Sequence, residues 1–334
     1  MAESVWIGLG LTLLAGLGSG NCMLPLKLAR RWKWENLWLI FTLVSLVVIP
    51  WLLALFLVPR LGSVYASTGV RQMTLPFLLG AGWGIAQILF GLSVARLGLA
   101  LAYAVIIGLG SLGGTLVPLV FNNRSVLLTP RGALILVGLA VMVAGIAVSA
   151  RAGSRREQGT PRAHGSGYAA ALALAILCGL MAPMLNYAFA FGQAIANSAM
   201  HLGSTPVRAA YAVWPIALAG GLLPNLFYSI FLLCKNRTWG LFREASTRDG
   251  SLALSMGVLW MGAVAVYGVA SVYLGSLGTS VGWGLFQIFM IITANCGGLL
   301  AGEWRSASTA ARAQLYAGLT LLIVATLLLA AANR

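Results

Sequence analysis

Two short phrases carry the residue types that could do chemistry. Residues 82–88 read GWGIAQI and residues 282–288 read GWGLFQI. Each sets a tryptophan and a glutamine four residues apart, Trp83 with Gln87 and Trp283 with Gln287. On a helix that spacing puts both side chains on one face. Both glutamines fall near the middle of long apolar runs, where an amide without a partner is costly. A ring face beside an amide suits a sugar, whose C–H face packs on the ring while its hydroxyls hydrogen-bond. The same pairs would equally serve packing, with each glutamine bonded to a neighbouring helix. Other polar residues inside apolar runs are Asn21, Asn186, Asn225 and Asn295, with Tyr103, Tyr187, Trp214 and Tyr267. Each suits helix packing or ligand contact. Asn186, Tyr187, Tyr103 and Tyr267 join the two Trp–Gln pairs as candidate substrate contacts.

The acids are the scarcest chemistry. They are Glu3, Glu35, Glu157, Glu244, Asp249 and Glu303, and none lies in the middle of an apolar run. Proton coupling uses an ionisable group along the pathway. Elimination leaves Glu303 as first candidate and Glu35 as second. The alternative for Glu303 is a salt-bridged helix end, with Arg305 or the first basic connection as partner. His164 and His201 are both read into connections. A membrane-embedded enzyme would want clustered acids, histidines or a metal site, and these residues assemble none, so neither an enzyme nor a cofactor or metal centre is expected. The run Gly108-Leu-Gly110-Ser-Leu-Gly113 has GxGxxG spacing, but no strand precedes it, which excludes a dinucleotide loop. Cys22, Cys178, Cys234 and Cys296 lie in or beside apolar runs without a CxxC pair and read as packing residues.

The elements that must hold these residues follow from composition. Of 334 residues, 60% are apolar and only 8% are charged, against about 25% charged in soluble domains. So few charges cannot cover a soluble surface. A soluble enzyme, a disordered chain and a disulfide scaffold are excluded. At about 20 residues per span, the pattern predicts an all-α polytopic membrane protein with ten helices. They are expected at about 5–26, 36–58, 75–95, 98–121, 132–150, 168–190, 210–233, 252–274, 279–300 and 313–332. The first has no basic residue before it and reads as a retained span.

The net charge of +15 would suggest nucleic acid in a soluble protein. Here the basic residues lie between apolar runs and set orientation instead. Fifteen sit in odd-numbered connections, among them Lys27, Arg30, Arg31, Lys33, Arg96 and Arg305. Six sit in even connections or at the end: Arg60, Arg71, Arg124, Arg131, Arg208 and Arg334. The odd connections are therefore expected in the cytoplasm and both termini outside. Residues 151–167 read as a cytoplasmic linker between two five-span halves, 1–150 and 168–334. Five is odd, so the second half enters inverted, as in many transporters. Leu14-Ala15-Gly16-Leu17 and Leu177-Cys178-Gly179-Leu180, in the opening span of each half, are a faint echo of duplication. The pairs Gly16/Gly20, Gly80/Gly84, Gly110/Gly114 and Gly298/Gly302 have the GxxxG spacing that lets helices approach closely. Pro50, Pro118, Pro183, Pro215 and Pro224 interrupt spans and loosen them.

Gly20-Asn21-Cys22-Met23-Leu24-Pro25-Leu26-Lys27, Arg31-Trp32-Lys33-Trp34-Glu35-Asn36-Leu37-Trp38 and Pro50-Trp51 resemble the start of the L-rhamnose–proton symporter family, within the drug/metabolite transporter superfamily. Leu79 through Ile85 with Tyr103 through Gly114 resemble its third and fourth spans, and Cys296-Gly297-Gly298 with Glu303-Trp304 its ninth. Trp32, Trp34, Glu35, Trp83, Gly84, Gly298, Glu303 and Trp304 are the matched positions. The resemblance implies inward movement of a sugar with a proton across an inner membrane. The site is expected between the two halves, whose rocking gives alternating access. The stretch 181–210 departs most from the family pattern. The alternative is a carrier of the same superfamily for another small metabolite, sodium-coupled or uncoupled.

Overall fold

The computed structural model describes residues 2–156, 166–243 and 247–333. They are almost wholly helical, and no strand occurs among them. In hydrocarbon every backbone N–H and C=O must be paired within the protein, which a helix does locally. Ten helical spans are long and apolar enough to cross a membrane: Val5–Leu26, Trp34–Leu57, Val70–Leu97, Ala100–Asn122, Pro130–Arg156, Gly167–His201, Pro206–Lys235, Thr247–Tyr273, Val281–Leu300 and Thr309–Ala332. The expected reversal between the third and fourth falls at Gly98, whose φ of 82° is open to glycine.

Two helix ends run well beyond expectation. The fifth helix runs on to Arg156, so the start of the expected linker is helical. Residues 157–165 of that linker, with Glu157, Arg162 and His164, lie outside the described residues, as does Glu244. The sixth span does not stop near 190. It is three helices, Ser166–Met181, Met184–Phe191 and Gln193–His201. Pro183, which lacks an N–H, caps the second piece, and Gly192 separates the third. The third piece buries Ile195, Ala196 and Ala199, packing on the helix Leu61–Thr68. That burial holds it helical and places His201 in a helix rather than a connection. In the second span, Pro50 is accommodated by a π turn over Val44–Val48.

The spans interleave. The first packs on the eighth and ninth, and the sixth on the third and fourth. The third packs on the seventh, the second on both the seventh and the eighth, the fourth on the ninth, and the fifth on the tenth. Glycines set the close approaches. A Cβ at Gly80 or Gly84 would run into the backbone of Ala217 or Gly221, and one at Gly16 or Gly20 into the ninth span. Gly298/Gly302 differs: Gly302 is a left-handed turn residue with φ 78°, not part of a helix strip. The four cysteines are free. Cys22 and Cys178 are buried, whereas Cys234 and Cys296 are exposed and fill no core space.

Candidate functional site

The candidate site is built on the break at Pro183. Restarting the helix there presents Asn186 between four spans. Its amide nitrogen donates to the carbonyls of Gly114 at 3.0 Å and Thr279 at 2.8 Å. Its Oδ1 accepts from the Tyr267 hydroxyl at 2.7 Å. Both residues are 1% exposed, so this buried amide is satisfied from the fourth and eighth spans and from the turn before the ninth. Trp283 joins the group, donating from Nε1 to the Gly110 carbonyl at 3.1 Å, with its ring 5.7 Å from that of Tyr267. Gly114 is needed here, because a Cβ would collide with the Trp283 indole. The Tyr187 hydroxyl lies against Gly113, where a Cβ would approach it to 2.8 Å.

Three expected contacts therefore converge, Asn186, Tyr267 and Trp283, with Tyr187 alongside them at Gly113. The other four do not join them directly. Trp83 stacks on Trp260 at 5.2 Å, in a core with Phe189 and Trp214. Tyr103 meets Phe90 edge-on at 5.8 Å. Gln87 is half-buried and makes no side-chain hydrogen bond among the described residues. Gln287 is 6% exposed and likewise makes none among them. It lies one helical turn beyond Trp283 on the same face. An unbonded amide in that position is available to a solute hydroxyl.

Above this cluster, on the side of the even connections, lies a cavity of about 410 Å³. Asn122, Gln193, Ser276 and Thr279 give it polar edges, and Phe189 and Val213 give it an apolar wall. No sequence signal marks this cavity: Gln193 lies beyond the expected sixth span, and Phe189 and Ser276 carry no spacing signal. Phe189 stacks on Trp214 at 4.7 Å with the planes 3° apart, and lies 6.5 Å from Tyr267. Trp214 Nε1 is buried and has no partner among the described residues.

The opposite end carries polar ties. Glu303 pairs with Arg156 at 3.2 Å, and that guanidinium lies 4.7 Å over the Trp304 ring. Of the expected partners, Arg305 is therefore corrected: the helical extension to Arg156 brings that residue to Glu303 instead. Glu35 is 4% exposed and accepts from Asn236 at 3.0 Å and Thr238 at 2.8 Å. Asp249 is fully buried and accepts from the backbone N–H groups of Arg31 at 2.8 Å and Trp32 at 2.9 Å. That carboxylate holds the first basic connection against the eighth span, a role no motif announced. Among the described residues no group of His, Cys, Asp and Glu could hold a metal ion.

Comparison with known proteins gives one consistent result. The chain matches the family described as L-rhamnose-proton symport protein (RhaT) over residues 1–332. It is 28% identical over 335 residues to the L-rhamnose-proton symporter of Cronobacter sakazakii (strain ATCC BAA-894), covering 97% of each chain. It is 26% identical over 334 residues to the L-rhamnose-proton symporters of Escherichia coli (strain 55989 / EAEC) and Shigella boydii serotype 18 (strain CDC 3083-94 / BS512), again with 97% of each chain covered.

Proposed function

The chain belongs to the L-rhamnose-proton symport family, and from that premise we propose that it takes up L-rhamnose together with protons. It is a multi-pass transporter, not an enzyme, with a sugar and a proton as its co-substrates. The carrying observation is the family match over residues 1–332. The test is uptake of labelled L-rhamnose into proteoliposomes under an imposed pH gradient. Accumulation that collapses with a protonophore is expected; uptake indifferent to rhamnose and to the gradient would sink the reading.

The protein sits in the inner membrane with odd connections in the cytoplasm and both termini outside, which the uneven placement of basic residues favours. The halves 1–150 and 168–334 are inverted repeats joined by the linker 151–167. Two observations support this. Adding five to each span number turns the packing of the first on the eighth and ninth into that of the sixth on the third and fourth. The echo residues also match: Gly16 faces the ninth span and Gly179 the fourth, while Ala15 and Cys178 are both buried. Because the spans interleave, the bodies that rock are the first, second, eighth and ninth against the third, fourth, sixth and seventh.

The sugar is bound by Asn186, Tyr187, Tyr267, Trp283 and Gln287 at the meeting of these bodies, with Trp83, Gln87 and Tyr103 along the path. Ring faces take its C–H surface and amides its hydroxyls. Glu303 carries the proton and Glu35 is the second candidate. The Arg156–Glu303 pair supports this, since protonating Glu303 would release Arg156 and loosen that end.

A further inference from the structure

We propose that the cavity walled by Phe189 is an outward subsite where the sugar docks before it reaches the Asn186 cluster, with Phe189 as its movable floor. The inference rests on the transport reading above and adds residues that no sequence signal assigned. Four observations carry it. The volume of about 410 Å³ is of the order that holds one small ligand. The lining is two-faced: Asn122, Gln193 and Ser276 on one side, Phe189 and Val213 on the other. A 6-deoxy sugar is two-faced in the same sense, with hydroxyls on the ring and a methyl group and C–H surface beside them.

The third observation is continuity. Thr279 lines the cavity, and its carbonyl holds Asn186, which in turn holds Tyr267. A ligand that shifts Thr279 therefore disturbs the buried cluster directly. The fourth is the orphan donor. Trp214 Nε1 is buried without a partner among the described residues, and its ring lies flat beneath Phe189. An indole N–H left unbonded in a core is costly. The N–H lies in the plane of the ring that Phe189 covers, so a sugar hydroxyl that reaches the indole edge once Phe189 has moved meets that donor.

The experiment measures L-rhamnose binding to the purified protein by titration calorimetry without any gradient, alongside proteoliposome uptake. Gln193→Ala removes a rim amide, Gln193→Trp fills the cavity from an exposed position, and Trp214→Phe deletes the orphan donor while keeping a stacked ring. Binding is expected to weaken about tenfold in Gln193→Ala and to vanish in Gln193→Trp, with unchanged melting temperatures. Trp214→Phe is expected to melt no lower than the parent yet take up sugar about fivefold more slowly. Wild-type affinity in both Gln193 variants, in a parent that accumulates rhamnose, would overturn the subsite and leave the transport reading standing. A parent that binds rhamnose with this Gln193 dependence but never accumulates it would overturn transport and support the subsite. A parent that does neither overturns both.

Discussion

The Tyr267 hydroxyl donates to Asn186 Oδ1 at 2.7 Å across two spans that are 81 residues apart in sequence. With the carbonyls of Gly114 and Thr279 on its nitrogen, Asn186 ties the fourth, sixth and eighth spans and the turn before the ninth together. A buried amide so fully bonded is rigid in one state, and any rearrangement of these spans must exchange its partners.

Tyr267→Phe tests that tie. It leaves Asn186 Oδ1 buried without its donor, so a loss of about 1–3 kcal/mol of stability is expected. Asn186→Ala is expected to cost at least as much, because it orphans two carbonyls and a hydroxyl. The double variant should cost less than the sum. Thermal melting in detergent, paired with rhamnose uptake, checks both values; additive losses would show that the two residues act separately.

Glu303→Gln separates coupling from movement. The amide keeps the shape of the carboxylate but cannot carry a proton or pair ionically with Arg156. Gradient-driven accumulation of rhamnose should be lost while exchange of internal for external rhamnose continues. Undiminished accumulation would remove Glu303 from the coupling path and turn attention to Glu35.

Asp249→Asn should be among the most damaging single changes outside the sugar path. The fully buried carboxylate accepts from backbone N–H groups of Arg31 and Trp32, and bonds to a charged acceptor contribute about 1.5–3 kcal/mol each. A neutral amide keeps one acceptor and adds hydrogens that face other donors. A fall in melting temperature and faster proteolysis in the first connection are expected; wild-type behaviour in both would refute the role.

Glycine substitutions give a packing test with an internal control. Gly84→Val would push a branched side chain into Gly221 and Pro224 and part the third and seventh spans. Overpacking of this kind costs about 1–3 kcal/mol. Gly262→Ala meets nothing within 4 Å and is expected to stabilise its helix by about 0.5–1 kcal/mol. Melting curves of the two variants should therefore shift in opposite directions.

Much of the fold was legible before any coordinates. Ten spans, the tight reversal at Gly98 and the close approaches at Gly16, Gly80 and Gly84 all follow from local rules: apolar length, a turn residue, a missing Cβ. Helical pieces beyond the apolar runs were not legible. Gln193–His201 is polar enough to read as a loop, and it is helical because Ile195 and Ala199 find a buried face on Leu61–Thr68. The site was half legible. Asn186, Tyr267 and Trp283 stand out as polar or aromatic residues in hydrocarbon and do meet. Phe189, Trp260 and Ser276 look like any other residue of their kind, and nothing in their spacing marks them.

The sequence alone determined the class of protein and the order of its helices, because hydrocarbon forces each span to satisfy its own backbone within a stretch of about 20 apolar residues. It also set the sign of the charge asymmetry between connections. Only the tertiary structure decided which polar groups are partners. Glu303 binds Arg156, 147 residues away, rather than its neighbour Arg305, and Asn186 reaches three other segments of chain. Such pairings depend on which helix faces which, and that is settled by side-chain packing among spans distant in sequence.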